Sequence, residues 1–162
     1  MAVAGAAKHA DGVHVELIDA QSGQMAAGIA SLADWLAERW RATALIAISG
    51  RAGAEALHAA LHERGVAKPA VHVLTTPEYF ASNSMFFDHV KDERVTHLAT
   101  DGQAVLDRSV SVSDKKMRGT SGTWGWNATV PGGDETPIEA VSVANWAART
   151  TKRVPGRKQE LI

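Results

Sequence analysis

The segment ALIAISGR, residues 44–51, constrains the fold more than any other stretch of the chain. Leu45 to Ile48 is apolar at every position and then breaks into Ser49, Gly50 and Arg51. A short run of that kind suits a strand covered on both faces, as in a parallel sheet, because a half-solvated strand alternates instead. Parallel strands need a crossover between them, and Ala54 to Arg64 supplies an alanine-rich helix stopped by Gly65. Val71-His72-Val73-Leu74 reads as the next strand, and Thr76-Pro77 opens a helix carrying Phe80, Phe87 and Val90. Strand, helix, strand, helix in this rhythm predicts an α/β fold with a right-handed crossover on a mixed sheet.

The flanking segments extend that sheet. Ala2 to Ala7 is a small apolar strand, Ala10-Asp11-Gly12 carries turn chemistry, and Val13 to Asp19 alternates like a half-buried strand, which together predict a hairpin. After a Gly/Ser/Gln linker, Ile29, Leu32, Ala33, Leu36 and Trp40 recur at helical spacing, opposite Asp34, Glu38 and Arg39. The spacing predicts an amphipathic helix ending near Arg41. Further on, Val95 to Leu98 reads as a short strand and Gln103 to Val110 as a helix, followed by a polar, Gly-rich stretch around Trp124-Gly125-Trp126. Residues 1–150 are expected to form one domain and residues 151–162 a mobile basic tail.

Bulk properties exclude more than they select. A chain of 162 residues can bury a real core, and no apolar run approaches the length needed to span a bilayer. Cysteine is absent, which rules out disulfides and thiolate metal sites among these residues. The net charge of −1 gives no global nucleic-acid signature, so any DNA contact must be local. Two basic clusters offer one: Lys115, Lys116 and Arg118, and then Arg149, Lys152, Arg153, Arg157 and Lys158, a run without an acid. Solvated surface and contact with a phosphate backbone are both open for them.

The strongest helix start is at DETPIEA. Thr136 suits the N-cap, Pro137 the first helical position, and Glu139 completes a capping box. Asp134, just ahead of it, is either a turn acid favourable to the helix dipole or a metal ligand. His58 and His62 lie one helical turn apart, but HAALH lacks the glutamate of a zinc-protease helix and no third ligand is evident. Trp124 and Trp126 suit core packing or stacking on bases. Ser49-Gly50-Arg51 is far from a Walker loop, and nothing else supplies an ATP site.

A set of segments in order carries a resemblance: VHVELIDAQSG, WLAERW, IAISGRAG, TTPEYFASNSMFFDHVKDERVTH, LDRSVSVSDKKMRG, WGWN and DETPIEAVSVANWAARTTKR. Together they resemble the C-terminal nuclease domain of the large subunit of tailed-phage terminases, over nearly the whole chain. The resemblance implies a ribonuclease-H-like mixed sheet flanked by helices, and an acidic cluster holding two Mg²⁺ or Mn²⁺ ions for phosphodiester cleavage. It implies a DNA-packaging endonuclease acting on double-stranded DNA in the host-cell cytoplasm, with portal or other terminase subunits as partners and no membrane.

Two departures qualify that expectation. The family carries an acid where this chain has Ser49, which keeps an oxygen and loses the charge. Its first acid lies on a strand ahead of Ala2, which these residues do not contain. Only Asp134 then matches a family carboxylate, so cleavage is expected to be impaired, and the alternative is a non-catalytic remnant that binds DNA or portal. The absent strand sits centrally in that fold. Its place is therefore expected to be filled by another segment or subunit, for example in a homodimer, or closed by direct pairing of the hairpin with the Leu45 strand.

Overall fold

The computed structural model describes residues 1–20, 25–50, 53–99, 101–118 and 122–155. The linker at 21–24, Arg51 in the Ser49-Gly50-Arg51 turn, and Arg157 and Lys158 lie outside the described residues. The chain is a mixed α/β protein in which five α-helices are described.

Strands β1 (Ala2–Lys8) and β2 (Val13–Ala20) form the expected hairpin, antiparallel from Lys8 opposite Val13 to Ala2 opposite Ala20. Alternation works as the sequence suggests: Val13, Val15 and Leu17 are buried and His14 and Glu16 are half-buried. The hairpin turn is tied to β5 (Val95–Thr96), which lies parallel to β2. Val13 N–H donates to the Arg94 carbonyl at 2.9 Å, and a Cβ on Gly12 would run into that same oxygen, so this turn needs glycine for space.

After helix α1 (Met25–Arg39), strands β3 (Ile46–Ile48) and β4 (Val71–Val73) pair in parallel, Ile46 opposite Val71, around helix α2 (Ala54–Glu63). Gly50 closes β3 with φ +74, where a Cβ would lie 2.6 Å from the Leu74 carbonyl oxygen. Helix α3 (Thr76–Lys91) begins with a full capping box between Thr75 and Glu78. Helix α4 (Ala104–Val112) runs directly into β6 (Ser113–Met117), which pairs antiparallel with β7 (Trp124–Ala128). The last helix is α5 (Thr136–Thr150).

The strands do not join into the one mixed sheet that the sequence leads one to expect. They form three separate sheets, β1-β2-β5, β3-β4 and β6-β7. The hairpin does not pair with β3. A cavity of about 720 Å³ lies between β1 and β3 instead, so among the described residues the place is neither filled by another segment nor closed by direct pairing.

Helix α5 holds the pieces together, packing on β1, β2, β3, α3 and α4. Its buried positions go nearly all the way round, from Ile138 through Val141 and Val143 to Ala147, as expected of a helix with little solvent face. Two core clusters result. One joins β2, α3, β7 and the start of α5 through Val15, Phe86, Trp126 and Val141; the other joins α1, β3, α2 and β4 through Ala33, Ile48, Leu61 and Val71. No helix among the described residues is long and apolar enough to cross a membrane.

Candidate functional site

The start of α5 departs from the sequence expectation in an informative way. Thr136 is already helical, and the residue at the N-cap, Glu135, makes no side-chain capping bond. Asp134 does the capping: its Oδ1 accepts the Thr136 N–H at 2.9 Å. Ser109 of α4 accepts the Ile138 N–H at 3.3 Å and donates to the Asp134 carbonyl at 2.7 Å. Glu139 is therefore not part of a capping box. It turns inward, is 4% exposed, and accepts a hydrogen bond from the Tyr79 hydroxyl of α3.

Asp134 itself is exposed and absent from the lining of the cavity, whereas Glu139 and Thr136 line it, together with Ser49 from the end of β3. The structure thus brings Ser49 and Glu139 to one cavity and leaves Asp134 outside. Sequence reasoning passed over Glu139 because it fitted a cap pattern. A signal was present nonetheless. No charge follows Glu139 until Arg149, the pattern of a helix with little solvent face, on which an acid is a candidate for burial.

A two-ion centre needs several converging carboxylates. Here the cavity offers Glu139, already bonded to a tyrosine, with two hydroxyls, Ser49 and Thr136; the Thr136 Oγ1 is buried without a hydrogen-bond partner. No group of three His, Asp or Glu side chains is placed to hold a metal among the described residues. The residues present do not fit Mg²⁺ or Mn²⁺ in the expected two-ion arrangement.

The other candidates resolve individually. His58 and His62 meet at 3.1 Å between their Nε2 atoms, and His62 Nδ1 lies 3.2 Å from the Val66 carbonyl. For neutral rings this fixes His62 as donor to Val66 and acceptor from His58, so the pair is bonded to itself. Trp124 and Trp126 are core residues, packed edge to face at 4.9 Å between centroids, and the Trp126 indole donates to Ser142 at 3.0 Å. They offer no platform for bases.

The basic residues divide. Lys116 and Arg118 are exposed at β6, while Lys115 places its Nζ 3.1 Å from the centroid of the Phe87 ring and 4.6 Å from that of Trp124. Arg149 and Lys152 are exposed at the C-terminal end of α5. Arg153 belongs to the fold instead: its guanidinium donates to the carbonyls of Thr43, Ala44 and Trp40 and lies 5.5 Å from the Trp40 ring. Of the expected tail, Arg153 is thus anchored to the turn after α1, while Lys152 and Val154 are exposed. Comparisons with protein-family models, with curated proteins and with solved structures returned no match for this chain.

Proposed function

We propose that this chain is the scaffold of a terminase-type DNA endonuclease domain, ribonuclease-H-like in fold, whose own residues do not complete a metal centre. The observation that carries the reading is the convergence of Ser49, at the end of β3, and Glu139, in the first turn of α5, on one cavity. The end of a central strand and the start of the last long helix are the places from which the resembled family draws its carboxylates. In that family, divalent ions would supply water activation and leaving-group stabilisation. The part left to this chain is duplex binding through Lys116, Arg118, Arg149 and Lys152, with Lys115 held over its aromatic rings.

The test is a plasmid-nicking assay in Mg²⁺ and in Mn²⁺, paired with duplex binding over a salt series. The expected result is intact plasmid, and affinity that falls steeply with salt without sequence preference. Lys116→Ala and Arg149→Ala should each lower the salt slope by about one. Metal-dependent nicking lost in Asp134→Ala would instead make this an active enzyme with Asp134 as ligand. An affinity indifferent to salt would remove the DNA reading altogether. Portal binding without DNA binding would favour the non-catalytic remnant.

A further inference from the structure

We propose that His58 and His62 of α2 chelate one divalent ion of the imidazole-preferring kind, Zn²⁺, Ni²⁺ or Cu²⁺. This rests on α2 and its C-terminal cap and not on the nuclease reading, whose ions prefer oxygen ligands. The two residues lie one turn apart on one helix face, the spacing at which a pair of imidazoles can share a metal. Their Nε2 atoms stand 3.1 Å apart. With metal–nitrogen bonds of about 2.0–2.1 Å, nitrogens at that separation subtend roughly 100° at a common ion, between the octahedral and the tetrahedral angle. The helix therefore already sets the bite of the chelate.

The fold prepares His62 for this role. Its Nδ1–H donates to the Val66 carbonyl at 3.2 Å, which leaves the Nε2 lone pair turned toward His58. A bond of that kind on the second nitrogen is what orients a metal-bound imidazole and raises its basicity. Val66 is a firm anchor. It is 2% exposed and belongs to the second core cluster, and its N–H closes the helix on the Leu61 carbonyl at 3.1 Å, past Gly65 at φ +76. His58 bonds only His62 among the described residues, so its ring can turn about χ2, a soft torsion. Its proton moves from Nε2 to Nδ1, so that both Nε2 atoms meet the ion as lone pairs and no proton is released overall.

The surroundings favour a cation. His62 lies in the last turn of α2, where the helix dipole presents its negative end. Glu55 is one turn ahead of His58 on the same face and Glu63 follows His62, while Arg64 is paired with Asp34 at 2.6 Å. Both histidines are half-buried, and Glu55, Ala59 and Glu63 around them are exposed, so water completes the coordination shell. No carboxylate is placed as a third ligand among the described residues. Two imidazoles with water select against Mg²⁺ and rank Cu²⁺ above Ni²⁺ and Zn²⁺. A bound ion ties one turn of α2 to the next and, through Val66, to the core, so it stabilises the β3-α2-β4 unit.

The probe is the metal chloride alone, Ni²⁺ or Zn²⁺ with Mg²⁺ as control, titrated calorimetrically into the full chain near neutral pH. The expected result is one Ni²⁺ or Zn²⁺ per chain and no uptake of Mg²⁺ in the same range. His58→Gln should weaken binding at least about tenfold, and because His58 bonds only His62 this variant keeps the fold. His62→Gln should weaken it as much, whereas His14→Gln, beside Glu16 on β2, should not. Paramagnetic Ni²⁺ should broaden the amide signals of residues 54–66 and spare β6 and β7. At a free-ion concentration of about one hundred times Kd, amide exchange through local opening of α2 should slow about a hundredfold. Three results would overturn the proposal. One is no binding of Ni²⁺ or Zn²⁺ up to millimolar concentration. Another is undiminished affinity in His58→Gln, which would place the ion elsewhere. The third is one ion for every two chains, which would make these histidines a bridge between copies.

Discussion

Glu139 and Tyr79 make a buried pair whose two members depend unequally on each other. The hydroxyl of Tyr79 donates to a carboxylate that is 4% exposed. Tyr79→Phe takes a donor from a buried acid and should lower the unfolding free energy by about 1.5–3 kcal/mol in urea titration. Glu139→Gln keeps an acceptor for Tyr79 and should lose less. Asn83 is the converse case: it is fully buried with neither Nδ2 nor Oδ1 hydrogen-bonded, so Asn83→Leu should stabilise the protein by about 1 kcal/mol. A loss of stability in that variant would mean that Asn83 has a use the fold does not show. These residues also mark how far the sequence could be read. Asp134 was legible as an acid at a helix start, and it accepts the Thr136 N–H there. Glu139 was hidden because a cap pattern and an inward-facing acid look alike until the helix is known to be buried all round.

At the scale of elements, the hairpin, the β3-α2-β4 crossover and α3 follow from signals that are local: alternation in β2, an apolar run in β3, and Thr75 with Glu78 at the α3 start. β6 was not legible, since Ser113-Asp114-Lys115-Lys116-Met117 carries no apolar alternation and is held through pairing with the buried tryptophans of β7. The α3 cap also makes a pH prediction. Glu78 titrates below the usual carboxylate range, chiefly because the Thr75 N–H and then its hydroxyl bond the ionised form, with His72 3.0 Å away and burial opposing. A depressed folded pKa adds stability that is present above the unfolded value and lost as pH falls through the folded one. Thr75→Ala should therefore cost about 1 kcal/mol near neutrality and less below the carboxylate range, checked by thermal melts across that interval. A cost that is the same at both pH values would mean that the hydroxyl serves the helix without Glu78.

Over the whole molecule, the order of strands and helices was readable but the way the sheets join was not, because pairing between distant edges leaves no local signal in the sequence. The consequence is a protein whose two core clusters are joined by the packing of α5, a member of the first, on β3 of the second rather than by one sheet. Val15 and Val141 belong to the first cluster, and Ile48 and Leu61 to the second. Besides the packing of α5 on β3, Arg153 is a tie between the two, from beyond α5 to the carbonyls of Trp40 and Ala44. Such a body should open in parts, the free energy of opening differing between units that share few contacts. Native-state hydrogen exchange should show α2, β3 and β4 opening below the global free energy while β2 and α5 open at it. Arg153→Ala removes charge-assisted bonds worth about 1.5–3 kcal/mol and should lower the opening energy of the β3-β4 unit while leaving β2 nearly unchanged. A single exchange energy across both clusters, shifted uniformly by Arg153→Ala, would mean that α5 alone couples them into one cooperative unit.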